Sequence, residues 1–254
     1  MNKTVKNIII RVSMLIGVAA FIFLIIMAKT NRAQNTVKNI VVNIDEWNGN
    51  FFVTKSQVLA LVNKNFDILG KTLSGKDLEK IEQSLSVIPQ VQKANAFLDN
   101  KGALTIKVDQ RIPLFRVYNA LGESFYVDEN GIKFPVTENY AAKVPVATGL
   151  IIEPCYKNQK VQGKQLKSIF KLIQEFKKNQ LWNSLIGQIN INEKLQIELI
   201  PRIANATIIF GDDQNIEQKL KRLDVFYFEV LQKVGWDRYK VINIMYKDQV
   251  VCLK

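Results

Sequence analysis

The chain has 254 residues, and its 35 Lys and Arg against 23 Asp and Glu give a formal net charge of +12. It contains no His, which excludes His-dependent catalytic triads, His general bases and His metal ligands. Its only Cys, Cys155 and Cys252, are too few for a Cys-rich zinc site. These exclusions favour binding over catalysis, so we expect no enzyme activity, cofactor, metal ion or small-molecule substrate.

The positive charge does not by itself indicate a nucleic-acid-binding protein. Five basic residues and no acid lie in residues 1–33, and the basic residues of the whole chain are 28 Lys and 7 Arg. Arg contacts phosphate and guanine more effectively than Lys. We therefore interpret the charge as a solvated, Lys-rich surface and expect no nucleic-acid partner.

The first predicted element is a membrane anchor at residues 8–28. Val12–Ala28 carries no charge, and a helix over residues 8–28 would be about 31 Å long, close to the thickness of a bilayer core. The apolar run is longer than that of a typical signal peptide and ends in a poor cleavage site, which favours an uncleaved signal anchor. A tail (1–7) precedes it and a polar linker (29–36) follows. Basic residues flank both ends, so the positive-inside rule favours a cytoplasmic tail but leaves the reverse orientation open.

Residues 37–112 are predicted to form a β-α-α-β-β unit. Thr54 and Gln57 fit a capping box at a helix start, and Ser74 is placed to begin a second helix. The predicted elements are a strand at 37–44, a turn at 45–50, helices beginning at Thr54 and Ser74, the second ended by Pro89, and strands at 91–98 and 103–108 joined by a turn at 99–102.

Residues 113–254 are predicted to form a mixed α/β domain with a largely antiparallel sheet, so the fold class of the chain is α+β. Apolar residues recur at helical spacing in 164–180 and 214–234, and Gly235 is placed to end the second helix. The predicted strands are a hairpin at 125–134, a segment at 144–149, and strands at 186–191, 195–200, 206–210 and 239–251. Asp212 and Asp213 are interpreted as acids favouring a helix start.

Short motifs, taken in order, resemble one family over nearly the whole chain. Leu85–Ala94 (LSVIPQVQKA) resembles the "L-x-x-(L/I)-P-x-V-x-x-A" element of POTRA domains, and Leu104–Pro113 resembles the strand that ends in "(E/Q)-R-x-P". Four later segments are similar to motifs of the bacterial cell-division family FtsQ/DivIB. They are the hairpin at 125–134, the segment at 144–149, the junction from Gly211-Asp212 to Lys219-Leu220 and the terminal segment at 239–251. Asn243 and Met245 depart from the family, since Asp and Arg are common at those positions.

The resemblance implies a non-enzymatic, single-pass scaffold of the divisome in the inner (cytoplasmic) membrane. Both domains after the anchor would lie in the periplasm or otherwise outside the cytoplasm, at the septum. The protein would hold FtsB/DivIC-like and FtsL-like proteins there, which helps to control septal peptidoglycan synthesis. Its POTRA domain is linked in the family to recruitment by upstream division proteins such as FtsK. The alternative is a POTRA-containing protein of outer-membrane assembly or secretion, although such proteins usually carry several POTRA repeats.

The predicted partner-binding site lies at the C-terminus. A strand at the end of the chain is a candidate edge strand, whose free N–H and C=O groups can pair with a partner strand. In the family the matching region binds FtsB. The predicted binding residues are Ile242, Ile244, Tyr246, Asp248, Gln249, Val250 and Val251. Tyr246 could instead complete the core, and the sequence does not decide which edge of the POTRA domain is free.

Three further patterns are not interpreted as sites. Gly70-Lys71-Thr72 lacks the earlier Gly of a P-loop, and Asp128–Gly131 lacks the spaced carboxylates of a Ca²⁺ loop and is typical of a turn. Cys155 and Cys252 could form a disulfide in an oxidising compartment. The sequence gives no distance between them, so that question stays open.

Overall fold

In the computed structural model the described residues are 14–24, 36–46, 51–203 and 205–254, and the chain divides into two units, Met1–Gln110 and Arg111–Lys254. Residues 14–24 form a helix, α1. Among the described residues, no helix combines the length and the apolar composition needed to cross a membrane. The predicted tail, the remainder of the predicted anchor, linker residues 29–35 and turn residues 47–50 lie outside the described residues.

The first unit follows the predicted β-α-α-β-β order. Its elements are β1 (Asn39–Ile44), α2 (Lys55–Asn65), α3 (Gly75–Ser86), β2 (Val91–Leu98) and β3 (Ala103–Gln110). β3 lies in the centre of the sheet, parallel to β1 and antiparallel to β2. The predicted strands and helices are therefore confirmed, with boundaries that differ by a few residues, while most of the turn predicted at 45–50 lies outside the described residues.

Both helix starts are stabilised by reciprocal hydrogen bonds between side chain and backbone. Gln57 N donates to Thr54 Oγ1 and Thr54 N donates to Gln57 Oε1, which completes the predicted capping box. Ser74 and Asp77 form the same arrangement at α3. Between the helices and β3 lies an apolar core of Val58, Val62, Ile81, Leu85, Leu104, Ile106 and Val108, all fully buried.

In the described part of the second unit, nine strands form one sheet in the order β12-β11-β10-β9-β8-β7-β4-β5-β6. The elements in chain order are β4 (Pro113–Tyr118), β5 (Ser124–Asp128), β6 (Lys133–Pro135), β7 (Val146–Gly149), α4 (Lys164–Lys177), α5 (Gln180–Leu185), β8 (Ile186–Ile191), β9 (Ile197–Pro201), β10 (Thr207–Gly211), α6 (Ile216–Val225), a π-helical segment (Phe226–Leu231), α7 (Gln232–Val234), β11 (Val241–Asn243) and β12 (Val251–Leu253). Most of the strand pairings are antiparallel, as predicted.

The apolar faces of α4 and α6 belong to one core with the sheet. Leu166, Ile169, Ile173 and Phe176 of α4 are buried, as their helical spacing predicts. Trp182 of the unpredicted helix α5 is also fully buried, and its Nε1 donates to Asp224 Oδ1 at 2.8 Å.

Two predicted elements near the C-terminus are wrong in detail. The predicted strand at 239–251 is a pair of short antiparallel strands, β11 and β12, because the chain turns back through residues 244–250. Asp248 in this loop has a left-handed backbone conformation, with φ 58°. The predicted helix at 214–234 begins at Ile216 and changes to π-helical geometry at Phe226–Leu231.

Candidate partner-binding site

β12 forms an open edge of the sheet in the second unit. Within the described residues it pairs with β11 alone, with Val251 opposite Asn243 and Leu253 opposite Val241. The side chains of Val251 and Leu253 are 40 % and 60 % exposed. An edge strand of this kind can accept a strand of another protein by main-chain hydrogen bonding.

The other end of the sheet is covered by the protein's own chain. Lys133 N in β6 donates to Gln159 O at 2.9 Å, and Asn158 N donates to Lys133 O at 3.1 Å. Val161 N donates to Gly131 O at 2.9 Å. Since these bonds occupy the β6 side, β12 is the edge at which a partner strand can be added.

A groove of about 380 Å³ lies next to the residues that lead into β12. Val225, Phe226 and Val230 provide an apolar wall at the end of α6 and in the π-helical segment. The other lining residues are the basic Lys221 and Arg222 and the loop residues Asp248, Gln249 and Val250. Lys221 pairs with Glu217 at 2.8 Å and Asp248 adds a carboxylate, so Arg222 is the lining cation without an ion pair among the described residues. Apolar surface beside one guanidinium suits an amphipathic segment that carries a carboxylate.

Arg222 connects the helix to the loop and retains an unpaired charge. Its Nη2 donates to Ile244 O at 3.0 Å. Its Nε is buried without a hydrogen-bond partner, and the ion pairs among the described residues do not include this guanidinium. Because Arg222 lines the groove, the other N–H groups of its guanidinium can form a charge-assisted hydrogen bond to an incoming carboxylate.

The predicted binding residues divide into an exposed group and a buried pair. Tyr246 is 48 % exposed, Val251 lies on the open edge, and Asp248, Gln249 and Val250 line the groove. Ile242 and Ile244 are fully buried in the core. They are corrected from binding residues to core residues, because β11 is an inner strand between β10 and β12 and both side chains belong to the core of the second unit.

The helical wall of the groove is absent from the prediction. The sequence predicts a helix over 214–234 with one apolar face toward the core; Val230 belongs to that face, and Val225 does not. The structure leaves Val225 61 % exposed. Apolar residues outside the inward-facing series were the available signal, although surface apolar residues are too common to identify a site alone.

Gly211, at the end of β10, lies in close contact with the loop that carries Tyr246. Its φ is +86°, and a Cβ at this position would lie 2.5 Å from Met245 Cγ. Met245 N donates to Asn243 Oδ1 at 3.0 Å, so the two residues that depart from the family pattern are themselves in contact.

We expect Gly211→Ala to lower the free energy of unfolding by about 1–2 kcal/mol, because Ala is strained at this φ and meets the Met245 side chain. Chemical denaturation measures the change. The double variant Gly211→Ala/Met245→Ala should recover the steric part of the cost, measured against Met245→Ala alone. A Gly211→Ala protein as stable as the parent would contradict the contact.

Asp212 holds a buried lysine at the start of α6. Lys219 Nζ donates to Asp212 Oδ1 at 2.6 Å and to Asp212 O at 3.0 Å, and it lies 5.0 Å from the centre of the Phe210 ring. The Lys219 side chain is 7 % exposed and that of Asp212 is 62 % exposed. The hydrogen bond from Lys219 lowers the pKa of Asp212 below its ordinary value.

Because the pKa of Asp212 is lower in the folded than in the unfolded protein, its stabilising effect is present above the unfolded pKa, about 3.9, and is lost as the pH falls through the folded pKa. We expect Asp212→Asn to reduce the loss of stability between pH 5 and pH 2, an interval set roughly by these pKa values. Denaturation curves at several pH values provide the measurement. A pH dependence identical to that of the parent would exclude this role of the carboxylate.

The three other patterns noted in the sequence are structural here. Asp128 Oδ1 accepts hydrogen bonds from Asn130 N and Ile132 N and closes the hairpin turn, while Arg111 Nη1 donates to its Oδ2 at 2.8 Å. Gly70 lies in the connection between α2 and α3, and its N–H donates to Val37 O.

Both cysteines are free, and burial raises the pKa of each thiol. Across the described ranges, His, Cys, Asp and Glu side chains form no group of three or more that could hold a metal ion.

Comparison with known protein families assigns both parts of the chain. Residues 35–109 match a POTRA-like domain. Residues 112–253 match the family described as FtsQ/DivIB, C-terminal related. No curated protein matches the chain. Since the second match covers more than half of the residues and agrees with the motifs and the fold, the chain belongs to the family of FtsQ/DivIB-related proteins.

Proposed function

We propose that this protein is a non-enzymatic, membrane-anchored scaffold of the bacterial divisome. It holds FtsB/DivIC-like and FtsL-like proteins at the septum and thereby helps to control septal peptidoglycan synthesis. The observation that carries the proposal is the open β12 edge beside a groove that combines apolar surface with the Arg222 guanidinium, within the region that matches the FtsQ/DivIB family. A POTRA domain over 37–112 and a second domain over 113–254 complete the proposed organisation, with recruitment by an FtsK-like protein through the POTRA domain.

The proposed anchor is the apolar segment at residues 8–28, which would make the protein a single-pass type II protein of the inner membrane. Residues 14–24 are helical, and their large apolar side chains are at least half exposed, from Ile22 at 50 % to Met14 at 72 %. Uncovered apolar surface of this extent needs an apolar environment. A bilayer is the environment that its sequence length suits.

The proposed binding mode uses the two parts of the site together. A partner strand pairs with β12, and an adjoining amphipathic segment occupies the groove, where its apolar side chains contact Val225 and Phe226 and a carboxylate contacts Arg222. Main-chain pairing supplies affinity, and the groove supplies specificity. The Arg222 charge favours a partner carboxylate at that point of the groove.

Depletion of the protein in its own bacterium tests the cellular role. Rod-shaped cells should continue to grow but form filaments, because septal synthesis loses its scaffold. Co-purification from membranes should recover the FtsB/DivIC-like and FtsL-like proteins encoded by the same genome. Normal division after depletion, with no related protein to replace it, would contradict the proposed function.

A further inference from the structure

Three segments of the first unit meet where the chain enters it. Val37 N donates to Lys71 O at 2.9 Å and Gly70 N donates to Val37 O at 2.7 Å, which places the α2–α3 connection beside residues 36–38. Lys38 N donates to Gly102 O at 2.8 Å, which places the β2–β3 turn beside the same residues. We call residues 36–38, 69–72 and 99–102 the entry pole.

The entry pole presents lysines around one exposed apolar side chain. Lys38, Lys71 and Lys101 are exposed, and Leu69 is 58 % exposed. Asp99 is directed to the turn, where it accepts hydrogen bonds from Lys101 N and Ala103 N. Lys71 pairs with Asp67 at 2.6 Å, in an exposed pair that other anions can replace.

Chain length keeps the entry pole close to the proposed anchor. The predicted span ends at Ala28 and Val37 follows nine residues later, so even a fully extended connection reaches only about 30 Å. This step rests on the membrane anchor of the proposed function. A surface with exposed lysines and an apolar side chain, kept within this distance of a bilayer, matches the chemistry of an anionic membrane surface.

We propose that the entry pole docks on the phospholipid headgroups of the membrane that holds the anchor. Leu69 contacts the interface, and the three lysines contact anionic headgroups. Each lysine near an anionic surface changes the docking equilibrium roughly fivefold. The attraction is screened by salt over a Debye length of about 10 Å at 0.1 M ionic strength.

Fluorescence quenching in nanodiscs tests the docking with the full-length protein. A fluorescent label is attached at Leu69→Cys or, as a control, at Val87→Cys, in a background in which Cys155 and Cys252 are replaced by Ser. Val87 is 74 % exposed and precedes β2, whose eight residues extend about 26 Å from that end toward the turn of the entry pole. With phosphatidylglycerol present, spin-labelled lipid should quench the label at position 69 more strongly than the label at position 87.

Lysine variants identify the chemistry of the contact. Lys38→Gln/Lys101→Gln should lower the docking equilibrium by roughly 25-fold, from fivefold for each lysine, and quenching at position 69 should fall accordingly. Lys93→Gln, an exposed lysine near the other end of β2, should leave it unchanged. Equal quenching at positions 69 and 87, or quenching independent of anionic lipid and of the two lysines, would overturn the docking. Release of the unlabelled protein from membranes by alkaline carbonate would instead overturn the anchor itself.

Discussion

Replacing Glu153 with Gln is expected to lower the free energy of unfolding of the second unit by about 3–5 kcal/mol, because it leaves a buried ammonium without its anionic partner. Lys133 Nζ lies 2.8 Å from Glu153 Oε1, and the two side chains are 2 % and 10 % exposed. Lys133 Nζ retains a hydrogen bond to Pro154 O at 2.9 Å, but a neutral carbonyl group does not replace the carboxylate charge.

Glu153 also supports the chain that precedes α4. Its carboxylate accepts hydrogen bonds from Gln162 N at 2.8 Å and Gly163 N at 2.7 Å. A Gln side chain of the same shape has one oxygen, so its amide NH₂ group would face one of these donors. Residues 158–161 cover β6. The ion pair therefore connects Lys133 of β6 to Glu153 before this segment and, through the Glu153 carboxylate, to Gln162 and Gly163 after it.

Urea denaturation followed by tryptophan fluorescence, to which the buried Trp182 contributes, measures the effect. The control is Glu217→Gln, which removes an exposed ion pair with Lys221 of similar length, 2.8 Å, and should change stability little. The double variant Lys133→Met/Glu153→Gln should be more stable than Glu153→Gln, because no buried charge remains. Equal effects of Glu153→Gln and Glu217→Gln would show that the buried pair contributes no special stability.

The sheet is therefore protected at one end and open at the other. Covering β6 removes a set of main-chain groups that could pair with unrelated strands, a known cause of aggregation. β12 lacks such a cover within the described residues and is short, which limits unselective pairing. Specificity at β12 must then come from the neighbouring side chains, which is the role we propose for the groove.

Local sequence rules predicted the first unit because its elements depend on short-range patterns. The capping residues Thr54 and Ser74 determine where two helices start, and the alternation of Leu104, Ile106 and Val108 follows the two-residue period of β3. The Asp99–Gly102 turn and Pro89 supplied the remaining boundaries.

The C-terminal site was less predictable because it depends on tertiary contacts. The apolar and β-branched residues of 239–251 are typical of one continuous strand, and no Gly or Pro marks the reversal near Asp248. The sequence therefore predicts Ile242 and Ile244 as binding residues, whereas both are buried in the core. The groove itself joins residues 221–230 to residues 248–250, and no local pattern relates two segments that far apart.

Tyr246→Glu is expected to weaken binding of the FtsB/DivIC-like partner by about 30-fold or more, since removal of a tyrosine hot spot costs roughly 2 kcal/mol or more. Tyr246 lies in the loop between β11 and β12, and its 48 % exposure is enough for contact while part of the ring remains supported by the protein. Glu also places a carboxylate two residues before Asp248, in the loop that leads to the groove, where it would repel the carboxylate that we propose for the partner.

Titration of the purified protein with the soluble partner region, by calorimetry or fluorescence anisotropy, measures this loss. Tyr118→Glu is the matched control, because Tyr118 is 45 % exposed on β4, and five strands separate β4 from β12 in the sheet. Both variants should unfold at similar urea concentrations, so a difference in affinity reports on the site and not on folding. Unchanged affinity in Tyr246→Glu, or equal losses in the two variants, would exclude the loop before β12 as the centre of the interface, because a contact there cannot be insensitive to the Tyr246 side chain.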